Sequence, residues 1–169
     1  TLACLEDMVS GAGEGTGWRL PAADLAALNG RTGSLAHDAL LWGGNLAMLV
    51  SLLGTPWWPE VKGGVLFLED VGEHPYRIER MLAQLLHAGV LARQKTIVLG
   101  QFTDYRLSLH DRGYSMRKVV DWLRSQLRVP VLTALPFGHV PTKVLLPVGL
   151  KIDLLVEDRD ALLLWGHQH

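Results

Sequence analysis

The feature that most constrains the fold is a regular alternation of short apolar and longer amphipathic segments between residues 65 and 132. The apolar segments are typical of buried strands and cover Val65–Leu68, Thr96–Leu99 and Val129–Leu132. The amphipathic segments carry apolar residues at helical spacing and cover Pro75–His87 and Ser115–Leu127. Strands that alternate with helices of this length predict a parallel sheet with right-handed crossovers.

The segments on either side of this alternation have different patterns. Three β-like segments without helices between them predict an antiparallel meander: Lys143–Val148, Lys151–Val156 and Ala161–Trp165. The glycine-rich first 40 residues predict peripheral structure with one short helix at Ala22–Leu28, or alternatively a hairpin turn at Asn29-Gly30. Asn45 is a good N-cap for a buried helix over Leu46–Leu53. We therefore expect an α/β fold with a central, largely parallel sheet, flanking helices and a smaller antiparallel sheet.

Size and composition narrow the classes of protein. A chain of 169 residues predicts a single domain over residues 1–169, and 49% hydrophobic residues suffice for a sizeable core. The net charge is −1, without basic clusters, which argues against nucleic acid as a partner. The longest apolar runs are far shorter than a membrane span, so no membrane partner is expected. The single cysteine, Cys4, cannot form a disulfide framework or a Cys-based metal site.

Polar side chains follow the three predicted parallel strands, where open sheets collect their ligands. They are Glu69, Asp70, Glu73, His74, Asp104 and His139. His139 is the side chain best suited to proton transfer near neutral pH, although a loop histidine bonded to a backbone carbonyl is the alternative. Glu69 closes an apolar strand and either orients His139, as the acid of a catalytic triad does, or binds neighbouring backbone N–H groups.

The other polar residues favour structural roles. Asp70 and Glu73 are expected to cap the helix that begins at Pro75. The spacing of His74 and the carboxylates matches no metal-binding motif, so neither a metal nor a cofactor is expected.

A catalytic triad also needs a nucleophile, and the sequence offers no convincing one. There is no G-x-S-x-G motif, and no serine lies on a predicted strand-to-helix elbow. The serines are Ser10, Ser34, Ser51, Ser108, Ser115 and Ser125. The residues therefore offer a candidate base and a candidate orienting acid, but no convincing nucleophile.

Four blocks of the sequence together resemble the LD-carboxypeptidases, also called muramoyltetrapeptide carboxypeptidases. They are Leu41–Ala47 (LWGGNLA), Leu53–Pro56 (LGTP), Gly64–Arg80 (GVLFLEDVGEHPYRIER) and Pro136–His139 (PFGH). The blocks occur in the family's order over roughly residues 40–150, and they resemble its C-terminal domain only. The resemblance implies a swivelling β/β/α domain that carries Glu69 and His139 of a Ser–Glu–His triad. The serine is then expected on an N-terminal domain absent from this chain.

The resemblance also implies a function and a location. The whole enzyme is expected to release the terminal D-Ala of murein tetrapeptides in the cytoplasm during peptidoglycan recycling. Gly43, Gly44, Asn45, Asp70 and Glu73 are assigned to a substrate-binding or interface surface. The expected partners are the tetrapeptide and the serine-bearing domain of the same polypeptide. The sequence does not fix the oligomeric state, and a homodimer is one of the partners considered, because an apolar face left by a missing domain favours self-association.

Three hypotheses follow for the chain itself. The first is half of a serine carboxypeptidase, inactive alone, whose natural sequence extends upstream of Thr1. The second is a non-catalytic domain that binds peptides or other proteins, and the third is a metal-dependent hydrolase that uses His74 and His139. A related branch of the family hydrolyses peptidyl-nucleotide antibiotics and so gives immunity, which is an alternative substrate class for the first hypothesis.

Overall fold

A computed structural model describes residues 14–141 and 143–166. Within these ranges the strands are β1 Gly15–Arg19, β2 Gly33–Asn45, β3 Val65–Val71, β4 Thr96–Thr103, β5 Val131–Leu132, β6 Lys151–Glu157 and β7 Asp160–Leu164. The helices are α1 Ala22–Leu28, α2 Leu46–Ser51, α3 Pro75–His87 and α4 Met116–Gln126, with 3₁₀ turns at Leu91–Arg93 and Leu109–Asp111. The α/β class is confirmed, and no helix of the described part is long and apolar enough to cross a membrane.

The strands form one continuous sheet in the order β1-β7-β6-β2-β3-β4-β5. Strands β2 to β5 pair in parallel, as the alternation predicts, and β1, β7, β6 and β2 pair antiparallel. Strand β2 belongs to both parts, because Gly33–Leu40 pairs with β6 and Leu41–Asn45 pairs with β3. The predicted parallel and antiparallel parts are therefore joined through one long strand.

Two expectations for the antiparallel part are wrong. Lys143–Val148 is not a strand; the described residues there form an irregular segment, which packs Val144 and Leu146 against the core. The strand that completes the antiparallel part is β1, which lies in the region expected to be peripheral and pairs with β7. Asn29-Gly30 ends α1 and is not a hairpin turn, because Asn29 adopts a left-handed C-cap conformation.

Two apolar cores lie on opposite faces of the parallel strands. One packs α2, α3 and α4 against the sheet, and the other contains residues of the antiparallel part and α1. Strand β3 is buried on both faces and contributes alternate residues to the two cores: Val65 and Phe67 to one, Leu66 and Leu68 to the other. This period of two decides which way the polar residues at the end of β3 point.

Candidate active site

Glu69 lies near the end of β3 and is 4% exposed. Strand alternation places it on the same face as Phe67, whose ring packs edge-on against Phe137 at 5.1 Å between centroids. Burial of a carboxylate is costly unless a hydrogen-bond donor is present. The donor comes from the loop that contains Phe137.

That loop follows β5 and carries His139 beside Glu69. The His139 Nδ1 lies 2.9 Å from the Glu69 Oε2. Gly138 makes the approach possible, because its φ is +131° and a Cβ there would lie 3.2 Å from the same Glu69 oxygen. The His139 side chain is 55% exposed, whereas that of Glu69 is buried.

The pair has the arrangement of a base and its orienting acid. A carboxylate only accepts hydrogen bonds, so the Nδ1 of His139 is the donor, and in the neutral imidazole the Nε2 then presents its lone pair. The Nε2 has no hydrogen-bond partner within residues 14–141 and 143–166. An imidazole fixed in this tautomer can take a proton from an incoming nucleophile.

No described serine is bonded to this imidazole. Four serine hydroxyls are engaged locally: Ser34 with Ala36 O, Ser51 with Met48 O, Ser108 with Asp111 and Ser125 with Trp122 O. Ser115 occupies the N-cap position of α4 without a side-chain capping bond. Cys4 and Ser10 lie outside the described residues.

Asp70 follows Glu69 directly but points to the opposite face of β3. It is buried and accepts hydrogen bonds from the Asn45 Nδ2 at 2.9 Å, the Ala47 N–H at 3.0 Å and the Val71 N–H at 2.9 Å. The Asn45 Oδ1 accepts from the Met48 N–H at 3.0 Å, which confirms Asn45 as the N-cap of α2. Asp70 therefore fastens the start of α2 to β3, and the expectation that it caps the helix beginning at Pro75 is wrong.

The adjacent glycines differ in their surroundings. A Cβ on Gly43, whose φ is +128°, would lie 2.0 Å from the Phe67 carbonyl oxygen, so the close approach of β2 to β3 requires glycine. A Cβ on Gly44, whose φ is +139°, would meet nothing within 4 Å. Gly43 therefore has a packing role. The substrate-binding or interface role assigned to five residues stays a prediction: Gly43, Gly44, Asn45, Asp70 and Glu73.

The capping residue of α3 is His74, not Glu73. The His74 Nδ1 accepts from the Tyr76 N–H at 3.4 Å, and its Nε2 lies 3.2 Å from the Asp111 Oδ1. The Ser108 N–H and hydroxyl hold the pKa of Asp111 below its usual value, with a smaller contribution from His74. Glu73 pairs with Arg77 at 3.5 Å.

The predicted polar cluster therefore divides, and most of its members are bonded elsewhere. Glu69 and His139 meet, His74 binds Asp111, and Asp104 lies exposed with a φ of +57°. No group of three or more His, Cys, Asp or Glu side chains that could hold a metal ion occurs among the residues that the structure describes.

Sequence reasoning missed one residue at this site, Gln101. Its backbone N–H donates to the Phe137 carbonyl at 2.8 Å, and its side-chain Nε2 donates to the Leu135 carbonyl at 3.0 Å. Gln101 stands in the polar run GQFTDYR after the predicted second strand, but nothing in that run separates it from its neighbours.

Comparison with known proteins places the chain in a family. The model of the LD-carboxypeptidase C-terminal domain matches residues 38–154. A putative carboxypeptidase from Synechocystis is 37% identical over 118 residues, which are 70% of this chain and 38% of that protein. The microcin C7 self-immunity protein of Escherichia coli is 30% identical over 132 residues, which are 76% of this chain and 37% of that protein.

A solved structure supports the same family. The crystal structure of muramoyltetrapeptide carboxypeptidase from Oxalobacter formigenes matches with a TM-score of 0.85 and 40% identity, and the match covers 100% of this chain and 55% of that one. The chain thus spans little more than half of this protein and about two fifths of the two curated relatives. Because the family model matches well over half of the chain, the chain belongs to the LD-carboxypeptidase family, in the part that forms the C-terminal domain.

Proposed function

We propose that this chain supplies the general base and its orienting acid to a serine carboxypeptidase that releases terminal D-Ala from murein tetrapeptide. The observation that carries the proposal is the 2.9 Å contact between His139 Nδ1 and Glu69 Oε2, with no hydrogen bond to the Nε2 from the part of the chain that the structure describes. The family match and the muramoyltetrapeptide carboxypeptidase from Oxalobacter formigenes support the substrate class. We place the reaction in the cytoplasm, during peptidoglycan recycling.

The proposed reaction has two proton transfers through His139. Its Nε2 takes the proton of the attacking serine hydroxyl as the hydroxyl oxygen bonds to the carbonyl carbon before D-Ala. The same proton then passes to the departing amine of D-Ala, which leaves an acyl-enzyme. Water hydrolyses that ester by the same route and regenerates the serine.

Glu69 acts on these steps without touching the substrate. It keeps the Nδ1 protonated, so the Nε2 has a lone pair when the serine approaches, and it stabilises the imidazolium that follows. Its burial strengthens this interaction, because water does not compete for the carboxylate.

The nucleophile and most of the oxyanion donors belong, in this proposal, to an N-terminal domain of the same polypeptide. The exposure of His139 supports this assignment, because an acid–base pair open on one side is accessible to a second domain. The isolated 169-residue chain is then inactive.

Reconstitution of activity tests the proposal. The chain is mixed with a separately produced serine-bearing domain, and D-Ala release from murein tetrapeptide is followed. We expect release by the mixture, no release by the chain alone, and a fall in kcat of about 10³–10⁴-fold for Glu69→Gln, since the imidazole loses its oriented tautomer. His139→Ala is expected to lose at least as much, because the base itself is gone.

Two matched variants serve as controls. Glu60→Gln and His87→Ala make the same kinds of change at exposed positions, and both are expected to retain activity within about twofold. Release of D-Ala by the chain alone contradicts the proposal. So does unchanged activity of Glu69→Gln in the mixture.

The self-immunity relative from Escherichia coli favours a second substrate class. A peptide joined to a nucleotide, offered to the same mixture, distinguishes the two. Cleavage of that conjugate without D-Ala release assigns the chain to the second class. Tight tetrapeptide binding without cleavage of either substrate indicates a non-catalytic domain.

A further inference from the structure

The loop that carries His139 has no regular secondary structure, and β4 holds it in place. Two backbone carbonyls of the loop accept hydrogen bonds from Gln101: Phe137 from its backbone N–H at 2.8 Å, and Leu135 from its side-chain Nε2 at 3.0 Å. The Thr103 hydroxyl donates to the His139 carbonyl at 3.4 Å. Ahead of Gly138, the Gln101 side chain thus adds a hydrogen bond between the loop and the sheet to the packing of Phe137 on Phe67.

An irregularity in strand pairing places Gln101 there. Leu68 of β3 pairs with Leu99 of β4, and Asp70 pairs with Phe102, so Glu69 faces two residues of β4, Gly100 and Gln101. Such a bulge breaks strand alternation and redirects a side chain, and bulges are frequent beside active sites. Here the extra residue is opposite Glu69, and its side chain reaches the loop that presents His139.

The position of the His139 ring follows the position of its loop. The side chain is 55% exposed and has one hydrogen bond among the described residues, to Glu69. The contact therefore depends on where the loop backbone sits. Gln101 limits that position from a second direction, since its carbonyl oxygen lies 3.0 Å from where a Cβ on Gly138 would be.

We propose that Gln101 is a positioning residue, which holds the 135–139 loop at the distance that lets His139 bond to Glu69. The catalytic consequence of this inference rests on the proposed function. The structural part, the effect of Gln101 on the position of His139, can be tested without measuring turnover. Among the described residues, Gln101 makes no hydrogen bond to the imidazole or to the carboxylate, so it acts through the loop.

The test compares Gln101→Met with Gln94→Met. Gln94 is a matched control, because its Nε2 also donates to backbone carbonyls, those of Val61 and Val90, in a different part of the fold. Ring-nitrogen NMR shifts of ¹⁵N-labelled His139 report which nitrogen carries the proton. kcat and KM for D-Ala release are measured on the complete polypeptide that carries this chain.

We expect Gln101→Met to shift the His139 ring from the Nδ1-protonated form towards a mixture of tautomers. We expect kcat to fall roughly 2- to 10-fold, the equivalent of the one side-chain hydrogen bond that this variant loses, with KM within about twofold. Gln101→Glu, which keeps the shape but cannot donate when ionised, is expected to lose at least as much. Gln94→Met is expected to lower overall stability and to leave the His139 ring shifts unchanged.

The two proposals fail in different ways. Ring shifts in Gln101→Met that match those of wild type and Gln94→Met overturn the positioning role, whatever the activity. If neither wild type nor any variant releases D-Ala, the proposed function fails. Changed ring shifts in Gln101→Met still support the positioning role in that case.

Discussion

Replacing Gly43 by alanine is expected to damage the junction of β2 and β3, whereas the same change at Gly44 is not. Both glycines have positive φ, +128° and +139°, so each alanine incurs backbone strain. Only Gly43 also faces backbone, since its Cβ would lie 2.0 Å from the Phe67 carbonyl oxygen. Gly44 is therefore a control for the strain alone.

The structure sets the size of the difference. Non-glycine φ values in this region cost about 1–3 kcal/mol, which both variants share. Gly43→Ala must also move β2 and β3 apart by about 1 Å, because a Cβ essentially never approaches an oxygen more closely than 3.0 Å. Loss of two ladder hydrogen bonds of about 0.5–1.5 kcal/mol each is a minimum consequence. Gly43→Ala should therefore be at least about 1 kcal/mol less stable than Gly44→Ala.

Urea unfolding of the two variants, followed by circular dichroism, measures this difference in the free energy of unfolding. A gap below about 0.5 kcal/mol would refute the reasoning, because the contact with Phe67 would then have no energetic consequence.

Three further predictions concern other parts of the molecule. Burial of the Tyr114 side chain, and to a smaller extent its hydrogen bond to Glu79, raises the pKa of Tyr114 above its ordinary value of 10.0. The contribution of Tyr114 to the free energy of unfolding is therefore present below pH 10 and is lost as the pH rises further. Tyr114→Phe should flatten that decline in chemical unfolding. Asp24→Ala leaves the largely buried Arg124 guanidinium, 2.7 Å from the Asp24 carboxylate, without its partner. The variant should lose about 3–5 kcal/mol of unfolding free energy, measured by thermal unfolding, and a loss below about 1 kcal/mol would contradict this. Gly138→Ala should reduce D-Ala release by the reconstituted enzyme at least about tenfold, because a Cβ would press on Glu69 and strain the backbone. An unchanged kcat would contradict this, since it would show that the loop adapts freely.

Much of the helical half was predictable because its signals are local. The predicted bounds Pro75–His87 coincide with α3, where a proline occupies the first turn and Gly89 follows the end. Ala22–Leu28 likewise coincides with α1. Propensity and capping act within a few residues, so the sequence of such a segment contains the information needed.

The antiparallel part was less predictable because its strands depend on distant partners. Strand β1 has few apolar residues, and its glycines permit close packing on β7: a Cβ on Gly15 would lie 2.7 Å from the Leu163 carbonyl oxygen. The segment 143–148 has the apolar character of a strand, but its role is to connect the His139 loop to β6. Neither fact is visible before the partners are known.

At the site, alternation along β3 could have separated Glu69 from Asp70, since neighbouring strand residues point to opposite faces. The contact between Glu69 and His139, 70 residues apart, was expected from the family blocks, while the residues alone left structural alternatives open for both. Gln101 was not predictable, because its role arises from a bulge in the pairing of β3 with β4.

The central claim is that the Nε2 of His139 accepts the proton of a serine outside the described residues. A crystal structure of the complete polypeptide that carries this chain tests it most directly, by the distance from that nitrogen to the nearest serine Oγ. The account predicts a serine of another domain within hydrogen-bond reach, roughly 2.6–3.2 Å, with the contact to Glu69 intact. An active, assembled protein in which the His139 Nε2 faces only solvent, or bonds to a group that is not a nucleophile, would contradict it.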